Sequence, residues 1–463
     1  MTTSPAALPS IFEILKPAVG PSSSHTLGPM YAASAFARRA AAASLRGGPG
    51  RIRVTLYGSL ALTGRGHLTD LAIAAGLAGY GPRELARTSL REVAQRVREA
   101  GRVRVGKREL LFDADTDVVF CTEEKSLPHP NTMRFSLVGG DGALRLTETY
   151  YSIGGGRLAG GAFGDLDRER GGRGKQSARI VLTECAREKI DLVEYVYRTE
   201  EAEHGHSRRD VDAYADEMWD LMMKAMERGL AAEGTLPGHL RLERRARELY
   251  AHFQSELPHF HVISPEASLA SIYAIAVAEE NASGGAVVTA PTCGSCGVVP
   301  ASLRMVQEKM DFHHDEIREA LIVAGLIGAV IAANASISGA EVGCQGEIGA
   351  ASAMAAGAVC HLLGGSSEDQ LDRAAESALE HYLGLTCDPV DGLVQIPCIE
   401  RNGAGAVSAL NAASLAMISR GRDRVSLDAT LDAMMRTGRD LDSRYKETSL
   451  GGLATSPGID DEP

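Results

Sequence analysis

A segment rich in glycine and charge divides this chain and constrains its fold more than any other feature. Residues 154–179, GGGRLAGGAFGDLDRERGGRGKQSAR, have no hydrophobic period, so neither a helix nor a strand is predicted there. Such a composition is typical of a linker between two separately packed parts. A chain of 463 residues is long enough to form two or three domains of ordinary size.

The two sides of this segment have different hydrophobic patterns. Between residues 51 and 158, short β-type runs (RIRVTLYGSLAL, DVVFCT, MRFSLVG and LRLTETYYSI) are separated by turn residues, with a helical stretch near 84–100. Residues 180–233 and 240–256 have helical spacing with dense charge, and 265–440 contains Ala-rich apolar segments broken by glycine and proline. The second part of the chain is therefore predicted to be mainly helical.

We predict an α+β N-terminal domain followed by a mainly α-helical domain. The expected boundaries are 1–158 for the first domain, 159–180 for a Gly- and charge-rich linker, and 181–463 for the second domain. The uncharged stretch 321–340 is about as long as a membrane span, but it is rich in alanine, glycine and serine and contains Asn334, so we interpret it as a buried core helix. The first residues contain no basic segment before a long apolar run, so a cytoplasmic location is expected.

The charge of the chain argues against a polyanionic partner. Its 48 Lys and Arg residues and 60 Asp and Glu residues give a net charge of −12, spread along the sequence rather than gathered in tails. A polyanion such as nucleic acid is therefore not an expected partner, and no membrane association is expected either. The balance is typical of a metabolic protein that acts on a small molecule.

Cysteine is concentrated in the second half of the chain. Six of the eight cysteines lie between residues 293 and 398, in a Gly- and Ala-rich region where the backbone can approach a ligand closely. Cys344, Cys387 and Cys398 have the spacing C-x42-C-x10-C, which is not that of a zinc ribbon or a ferredoxin. Each stands beside turn-forming or polar residues, as cluster ligands do, although buried core cysteines are also common. Both interpretations remain open at this point.

Cys293 and Cys296 form a C-x-x-C pair in PTCGSCG. Such a pair can be a thiol redox centre or half of a zinc site. Its redox use generally accompanies a βαβ pattern, which this sequence lacks. Their role is left open.

Two polar segments of the first half are candidates for binding and proton transfer. GPSSSHTLGPM contains Ser22, Ser23, Ser24 and His25 at a predicted helix start, where hydroxyls and amides bind anions, although a simple helix cap has the same composition. YGSLALTGRGHLTD contains Ser59, Thr63, His67 and Asp70. A histidine there can transfer protons, and the alternative is a histidine that is merely hydrogen-bonded in the structure.

Eight motifs together resemble, in order and over residues 10–454, the bacterial iron-sulfur L-serine dehydratases of the single-chain type. They are SIFEILKPAVGPSSSHTLGPM, YGSLALTGRGHLTD, HPNTMRF, TYYSIGGG, APTCGSCGVVPA, NASISGAEVGCQGE, LGLTCDPVDGLVQIPCIERN and ETSLGGLA. The resemblance implies a small α+β domain before a helical catalytic domain, which carries a [4Fe-4S] cluster and uses no pyridoxal phosphate. It also implies a homodimer that converts L-serine to pyruvate and ammonia.

The resemblance also assigns roles to residues. It implies that Cys344, Cys387 and Cys398 bind the cluster. It implies that the substrate is bound by Asn131 and by the segments that hold Ser22, Ser23, Ser24, His25, Thr63 and His67.

The chemistry of serine elimination agrees with these roles. Hydroxide is a poor leaving group, so an open iron would act as a Lewis acid on the β-oxygen. His67 is the candidate base at Cα, with His25 next in line, and the three serines would hold the carboxylate.

Three other functions are alternatives to iron-sulfur L-serine dehydration. Threonine or another β-hydroxy amino acid offers the same groups as serine. A pyridoxal-phosphate dehydratase is disfavoured because no lysine has a convincing Schiff-base context. A non-enzymatic amino-acid sensor is a third alternative.

The C-terminus departs from the family pattern. Single-chain members often end in a cysteine that resembles a built-in fourth ligand of the open iron. Here the tail is TSPGIDDEP and has no thiol. We expect water at that position rather than Cys293 or Cys296, because a permanent thiolate would block the substrate.

Overall fold

A computed structural model gives the fold of the chain. It describes residues 8–45, 48–124, 126–164, 166, 177–256, 263–365, 368–420 and 425–456. Its strands are β1 Pro17–Val19, β2 Arg51–Tyr57, β3 Arg102–Val105, β4 Arg108–Leu111, β5 Val118–Cys121, β6 Thr132–Val138, β7 Leu144–Ser152, β8 Leu158–Gly160 and β9 Ala286–Val288.

The first half is built on a seven-stranded mixed sheet. Its main path runs β3-β4-β2-β6-β7-β8, and β5 pairs with β2 outside that path. Strand β2 is parallel to β4 and β5 and antiparallel to β6. Along β2, Ile52, Val54 and Leu56 are fully buried and alternate with more exposed residues, which is the two-residue period of a strand with one face covered.

The first half also contains helices, and the longer ones pack against the sheet. The helices, in chain order, are α1 Ile11–Ile14, α2 Gly28–Ala42, α3 Ser59–Thr63, α4 Thr69–Leu77, α5 Pro82–Leu85, α6 Leu90–Ala100 and α7 Ala114–Asp117. Phe36 of α2 packs against Phe135 of β6 with ring centroids 5.3 Å apart, and Phe135 meets Tyr150 of β7 at 5.6 Å. The sheet and helices α2 and α4 share one hydrophobic core.

The second half is mainly helical. Its helices are α8 Ala178–Glu188, α9 Leu192–Thr199, α10 Arg208–Ala231, α11 Ala246–Glu256, α12 Pro265–Ala282, α13 Val298–Met310, α14 His314–Asn334, α15 Gly339–Val342, α16 Ile348–Leu362, α17 Glu368–Glu380, α18 Cys398–Ile418 and α19 Leu427–Asp440. Residues 348–360 of α16 are all buried, and many are alanine or glycine, whose small side chains let neighbouring helix backbones approach closely. These helices form the central layer of a second core.

Helix α14 contains most of the apolar stretch 321–340. All residues from 320 to 332 are buried in the helical core, as expected for a core helix. No single helix within the described ranges is long and apolar enough to cross a membrane. Only the bent pair His314–Asn334 and Gly339–Gly346, at 52° to each other, meets the length and composition requirement.

The N-terminal segment packs with the helical half. Leu8, Ile11 and Leu15 belong to the helical core. The buried Glu200 accepts hydrogen bonds at 2.8 Å from the Ser10 hydroxyl and from the Ile11 amide. Strand β1 pairs with β9 of the helical half in an antiparallel register. The α+β half therefore sends its first residues across into the other half.

The fold class predicted from the sequence is confirmed, with local differences. The run RIRVTLYGSLAL is not all strand, because β2 ends at Tyr57 and residues 59–63 form α3. The beginning of the predicted linker is structured, since β8 pairs with β7, and α8 starts at Ala178. The rest of that linker, residues 165 and 167–176, lies outside the described residues. The boundaries 1–158, 159–180 and 181–463 remain a prediction.

Candidate active site

The predicted cluster ligands lie in a short turn, in an isolated β-bridge and at the start of a helix. Cys344 lies in a one-turn helix between α15 and α16, and this turn begins at Gly343 with φ +74°. A side chain at Gly343 would come 2.5 Å from the Leu385 carbonyl, so only glycine lets the turn approach the segment before Cys387. Cys398 is the first residue of α18.

The thiols line one small cavity. The possible ligand atoms of Cys344, Glu347 and Cys387 lie within 4.8 Å of one another. Cys398 contributes to the wall of the same cavity, although it is outside that closest group. Cys344 and Cys387 are buried, and all three cysteines are free thiols. A convergent set of soft thiol donors fits iron or an iron–sulfur cluster better than it fits a hard cation.

Arg401 provides positive charge beside the thiols. Its guanidinium donates to the Thr386 carbonyl at 2.7 Å and to Asp388 Oδ1 at 3.1 Å. Burial opposes the charge, yet the neighbouring Cys344 and Cys398 and the carboxylate of Asp388 raise the pKa of Arg401. A fixed cation at this position would stabilise thiolates, which are the form that binds metal.

The serine-rich segment forms a buried turn at the cavity. Ser22 caps a π-helical turn, Ser23–Leu27, by accepting a hydrogen bond from the His25 amide at 3.1 Å. Pro21 and Ser22 line the thiol cavity. The predicted helix cap and the predicted anion site are thus the same turn, and its residues Ser22, Ser23, Ser24 and His25 are all buried.

His25 is held by hydroxyls on both ring nitrogens. Ser59 Oγ donates to the Glu447 carbonyl at 2.5 Å, so it accepts from His25 Nε2 at 3.0 Å. His25 Nδ1 is then the acceptor and receives the Ser24 hydroxyl at 2.9 Å. Burial, together with the neighbouring His67, lowers the pKa of His25 well below its ordinary value. His25 is therefore neutral at pH 7.

His67 directs one nitrogen at the cavity. Its Nδ1 lies 2.9 Å from the Thr63 carbonyl, and a carbonyl can only accept, so Nδ1 carries the proton. The other nitrogen, Nε2, therefore has a free lone pair. Burial lowers the pKa of His67 from 6.5 to about 4. The two imidazole rings lie 4.5 Å apart, and His67 lines the thiol cavity.

Glu447 joins the two histidines, and no role was predicted for it. Its Oε1 lies 3.2 Å from His25 Nδ1 and 3.7 Å from His67 Nε2. Burial, together with the nearby Glu347 and Cys344, raises the pKa of Glu447 well above its ordinary value. A protonated carboxyl can donate to an imidazole nitrogen. The sequence did contain one signal for this residue. Glu447 is the first residue of ETSLGGLA, one of the eight motifs that resemble the family.

The backbone of Glu447 is tied to both halves of the chain. Its amide donates to the Cys387 carbonyl at 2.8 Å, in a parallel bridge between Cys387 and Lys446. Its carbonyl accepts the Ser59 hydroxyl, as described above, and the Thr63 hydroxyl at 3.4 Å. This residue has φ +58°, a left-handed conformation that its surroundings must hold in place.

Asn131 lies outside the thiol cavity, in a second buried polar group. Its side-chain amide donates to the Ser152 carbonyl at 3.3 Å. Among the described residues, no hydrogen bond reaches Asn131 Oδ1, Ser152 Oγ or Ser338 Oγ. His129 Nε2 also lacks one, although it lies 3.5 Å from Glu341 Oε1. Unsatisfied buried polar atoms are costly, so a ligand that hydrogen-bonds to this group would stabilise it.

The pair Cys293 and Cys296 is buried in the helical core. Burial raises the pKa of both thiols, to well above the ordinary value for Cys296, so neither is activated as a thiolate. Neither lines the thiol cavity. The tail that lacks a terminal cysteine, from residue 457 onward, lies outside the described residues.

Fold and site together define a two-part protein with a candidate metal centre of thiols next to two buried, neutral histidines. The family model described as serine dehydratase beta chain matches residues 10–161, and that described as serine dehydratase alpha chain matches residues 187–454. The L-serine dehydratase of Streptomyces coelicolor is 42% identical over 96% of this chain and 98% of its own length.

Two further relatives are similar over the same extent. L-serine dehydratase 1 of Escherichia coli is 41% identical over 96% of this chain and 98% of its own length. The L-serine dehydratase of Helicobacter pylori is 40% identical over the same shares. The chain belongs to the serine dehydratase family, and the resemblance to the bacterial single-chain type is confirmed.

Proposed function

We propose that the chain is an L-serine ammonia-lyase, which converts L-serine to pyruvate and ammonia. The observation that carries this proposal is the cavity lined by three thiols and by the neutral His67, with the His25 ring 4.5 Å behind it. The relatives named L-serine dehydratase support it, because they are about 40% identical along nearly their whole length. The homodimer and the cytoplasmic location remain predictions.

Cys344, Cys387 and Cys398 are the residues that would hold a [4Fe-4S] cluster. Bound there, the cluster would supply a Lewis acid for the β-hydroxyl of the substrate. Pyridoxal phosphate would need a lysine for its Schiff base, and among the described residues no lysine lines this cavity. The donor set therefore supports the metal cofactor and not the pyridoxal one.

His67 is proposed as the base that removes the α-hydrogen. Its Nε2 has a lone pair and faces the cavity, and its low pKa keeps it neutral at physiological pH. A neutral imidazole in reach of Cα can accept the α-proton while the β-hydroxyl leaves as hydroxide, and the imidazolium then returns a proton to the hydroxide to give water. The aminoacrylate so formed tautomerises to an imine, which water hydrolyses to pyruvate and ammonia.

The serine-rich turn and Asn131 are proposed to bind the amino acid. Hydroxyls of Ser22, Ser23 and Ser24, with the amides of their turn, suit a carboxylate. Thr63 orients His67 through its carbonyl, and His25 is held against the same turn. Asn131 offers an unused oxygen that can accept from the substrate ammonium. Fixing these groups places the Cα hydrogen relative to His67.

The test is an anaerobic preparation assayed for iron, sulfide and turnover together. The proposal expects iron and sulfide in the protein and pyruvate formation from L-serine. Protein without iron that still forms pyruvate would contradict the cluster, and iron-loaded protein that binds serine without turning it over would favour an amino-acid sensor. L-threonine, compared in the same assay, differs by one methyl, which a pocket discriminates by about 1–3 kcal/mol.

A further inference from the structure

The cavity that is lined by the three thiols also contains a carboxylate that the proposed function does not use. Glu347 follows Cys344 by three residues, at the N-cap of α16, and lines the same cavity. Its Oε2 lies 3.8 Å from Cys344 Sγ and 3.9 Å from Cys387 Sγ. This oxygen is therefore nearly equidistant from two of the three predicted cluster ligands.

A four-iron cluster has four ligand positions, and the three cysteines fill three of them. The four ligand atoms surround such a cluster as the corners of a tetrahedron, so the fourth is equally distant from the other three. Glu347 Oε2 meets this condition for Cys344 and Cys387. Carboxylate oxygens are also established ligands of iron in proteins.

Two other oxygen donors on the described wall of the cavity are engaged elsewhere. Glu447 Oε1 is directed at the histidines, 3.2 Å from His25 Nδ1 and 3.7 Å from His67 Nε2. The Ser22 hydroxyl accepts from the His25 amide at 3.1 Å. Glu347 is the carboxylate whose oxygen is directed at the thiols.

Two glycines leave room for the carboxylate of Glu347 at this position. A side chain at Gly339 would come 2.8 Å from Oε2, and one at Gly294 would come 3.3 Å from Oε1. Gly294 belongs to the C-x-x-C segment PTCGSCG and lines the cavity, so this segment contributes to the site through its backbone. Arg401 on the same wall provides positive charge near an anionic ligand.

We propose that the Glu347 carboxylate is the fourth protein ligand of the [4Fe-4S] cluster, in place of the water expected from the sequence. The inference rests on the proposed function, because it assigns a ligand to the cluster proposed there. A carboxylate is a harder and weaker ligand of iron than a thiolate. It therefore retains the fourth iron between turnovers and gives way to the hydroxyl of the substrate.

The rate at which the cluster loses one iron tests the proposal. Anaerobically prepared proteins are treated with an excess of ferricyanide, and formation of the [3Fe-4S] cluster is followed by EPR. Glu347→Gln should lose the iron about tenfold faster than the wild type, because a neutral amide replaces an anionic ligand. Equal rates in Glu347→Gln and the wild type would overturn the proposal.

Glu447→Gln is the matched control for this measurement. It removes the other carboxylate on the wall of the same cavity, and its oxygen is directed at the histidines. It should lose iron at the wild-type rate. Equally fast loss in both variants would mean that any negative charge in the cavity retains the iron, and would overturn the assignment of Glu347 as a ligand.

The wild-type protein gives a second test that holds even where Glu347→Gln does not fold. The reduced cluster is measured by ENDOR in water enriched in ¹⁷O, without substrate. Water bound to the fourth iron would give an ¹⁷O coupling, whereas the Glu347 carboxylate would give none. An ¹⁷O coupling in the wild type would overturn the proposal.

Iron, sulfide and turnover of the same wild-type preparation separate this inference from the proposed function. A cluster with serine turnover and an ¹⁷O coupling would reject Glu347 as the ligand and leave the proposed function intact. Wild-type protein that holds no cluster would reject both.

Discussion

Glu447 and the two histidines show how burial sets protonation in this site. One nitrogen of each histidine lies within 4 Å of Glu447 Oε1, and all three side chains are buried. Charging any of them alone would carry a large desolvation cost, so the pKa values move toward the neutral forms. The result is a neutral carboxyl group that can donate one hydrogen bond and two neutral imidazoles, each with one nitrogen that can accept.

Replacing Cys344, Cys387 or Cys398 singly by serine should remove iron and activity. A hydroxyl is a hard, weakly acidic donor and substitutes poorly for thiolate. Iron content, visible absorbance and serine turnover would be measured on each variant. Cys121→Ser, in strand β5 and away from the cavity, is the control and should keep both iron and activity. A fully active, iron-loaded Cys387→Ser protein would contradict the ligand assignment.

Replacing His67 by alanine should lower turnover by about 10²- to 10⁴-fold, the usual contribution of a positioned base. The absorbance of the metal centre should not change, because His67 is not among the thiol ligands. His25→Ala should instead weaken substrate binding. Exchange of the α-hydrogen with solvent, followed by NMR, is the direct measurement, and unchanged exchange in His67→Ala would transfer the role to His25.

The same imidazole predicts the acid limb of the pH profile. With a pKa of about 4, His67 stays neutral from pH 8 to 6, so the wild-type turnover number should be flat there. A fall centred near pH 6.5 would show an ordinary histidine and contradict the buried state. The unfolded chain binds this proton near pH 6.5 and the folded chain near 4, so the group also lowers the free energy of unfolding as pH falls between those values.

Glu447→Gln should preserve more activity than Glu447→Ala. An amide is neutral and still donates a hydrogen bond, so turnover should stay within about tenfold of the wild type. Alanine leaves buried partners unsatisfied and should cost more. The turnover number and KM of both variants are compared with those of Glu248→Gln, a change at an exposed glutamate of α11. Equal losses in Glu447→Gln and Glu447→Ala would mean that the ionised carboxylate is required.

The short helix α15 begins with Gly339, which lets its backbone lie against the candidate metal site. A side chain at Gly339 would come 2.8 Å from Glu347 Oε2, 3.1 Å from Cys387 Sγ and 3.4 Å from Glu447 Oε2. Three functional groups from different turns therefore meet against one Cα. The helix is too short to be stable alone, and its packing against α19 and the following turn holds it.

Gly339→Ala should disturb the site while leaving the fold intact. A methyl group there occupies the space in which Glu347 and Cys387 converge, so we expect iron loss and about a 10²-fold lower turnover. Gly403→Ala in α18 is the control, since its methyl meets Ser271 at an ordinary 3.4 Å. Thermal unfolding and iron content of both variants check the prediction. Normal iron content and turnover in Gly339→Ala would show that Glu347 and Cys387 can move aside for the methyl group without loss of function, which would contradict the prediction.

The two halves of the molecule are packed against each other and share structure, rather than being connected only by a linker. Strand β1 pairs with β9, and Leu8, Ile11 and Leu15 belong to the helical core. The thiol cavity is lined by His67 from one half and by the three cysteines from the other. The family models for the two parts are named as separate chains, which agrees with an interface able to hold without a covalent connection.

Two co-expressed chains, 1–164 and 177–463, should therefore assemble and turn over serine. The fragment 177–463 alone should fail to fold, because it would expose the core surface that Leu8, Ile11 and Leu15 cover. Co-purification through a tag on one fragment, with an activity assay, measures this. A folded, iron-loaded and active 177–463 fragment would show that the halves are independent.

Some features of this protein could be predicted from local sequence patterns alone. The fold class was predicted from the strand and helix periods, the Gly- and charge-rich break and the apolar alanine segments. This was possible because hydrophobic periodicity depends only on residues close together in the sequence. The motifs predicted the family, which the comparisons confirmed. Cys344, Cys387 and Cys398 were candidates from residue type and flanking turns. The roles assigned to them and to the histidines stay predictions until the variants are measured.

Other features were decided only by the tertiary structure. The meeting of His25, His67 and Glu447 joins positions some 400 residues apart, and no local period encodes such a contact. The same holds for the pairing of β1 with β9. Protonation follows from burial, and burial is a property of the packed chain rather than of any segment, so the neutral histidines and the raised pKa of Glu447 had no signal in the sequence.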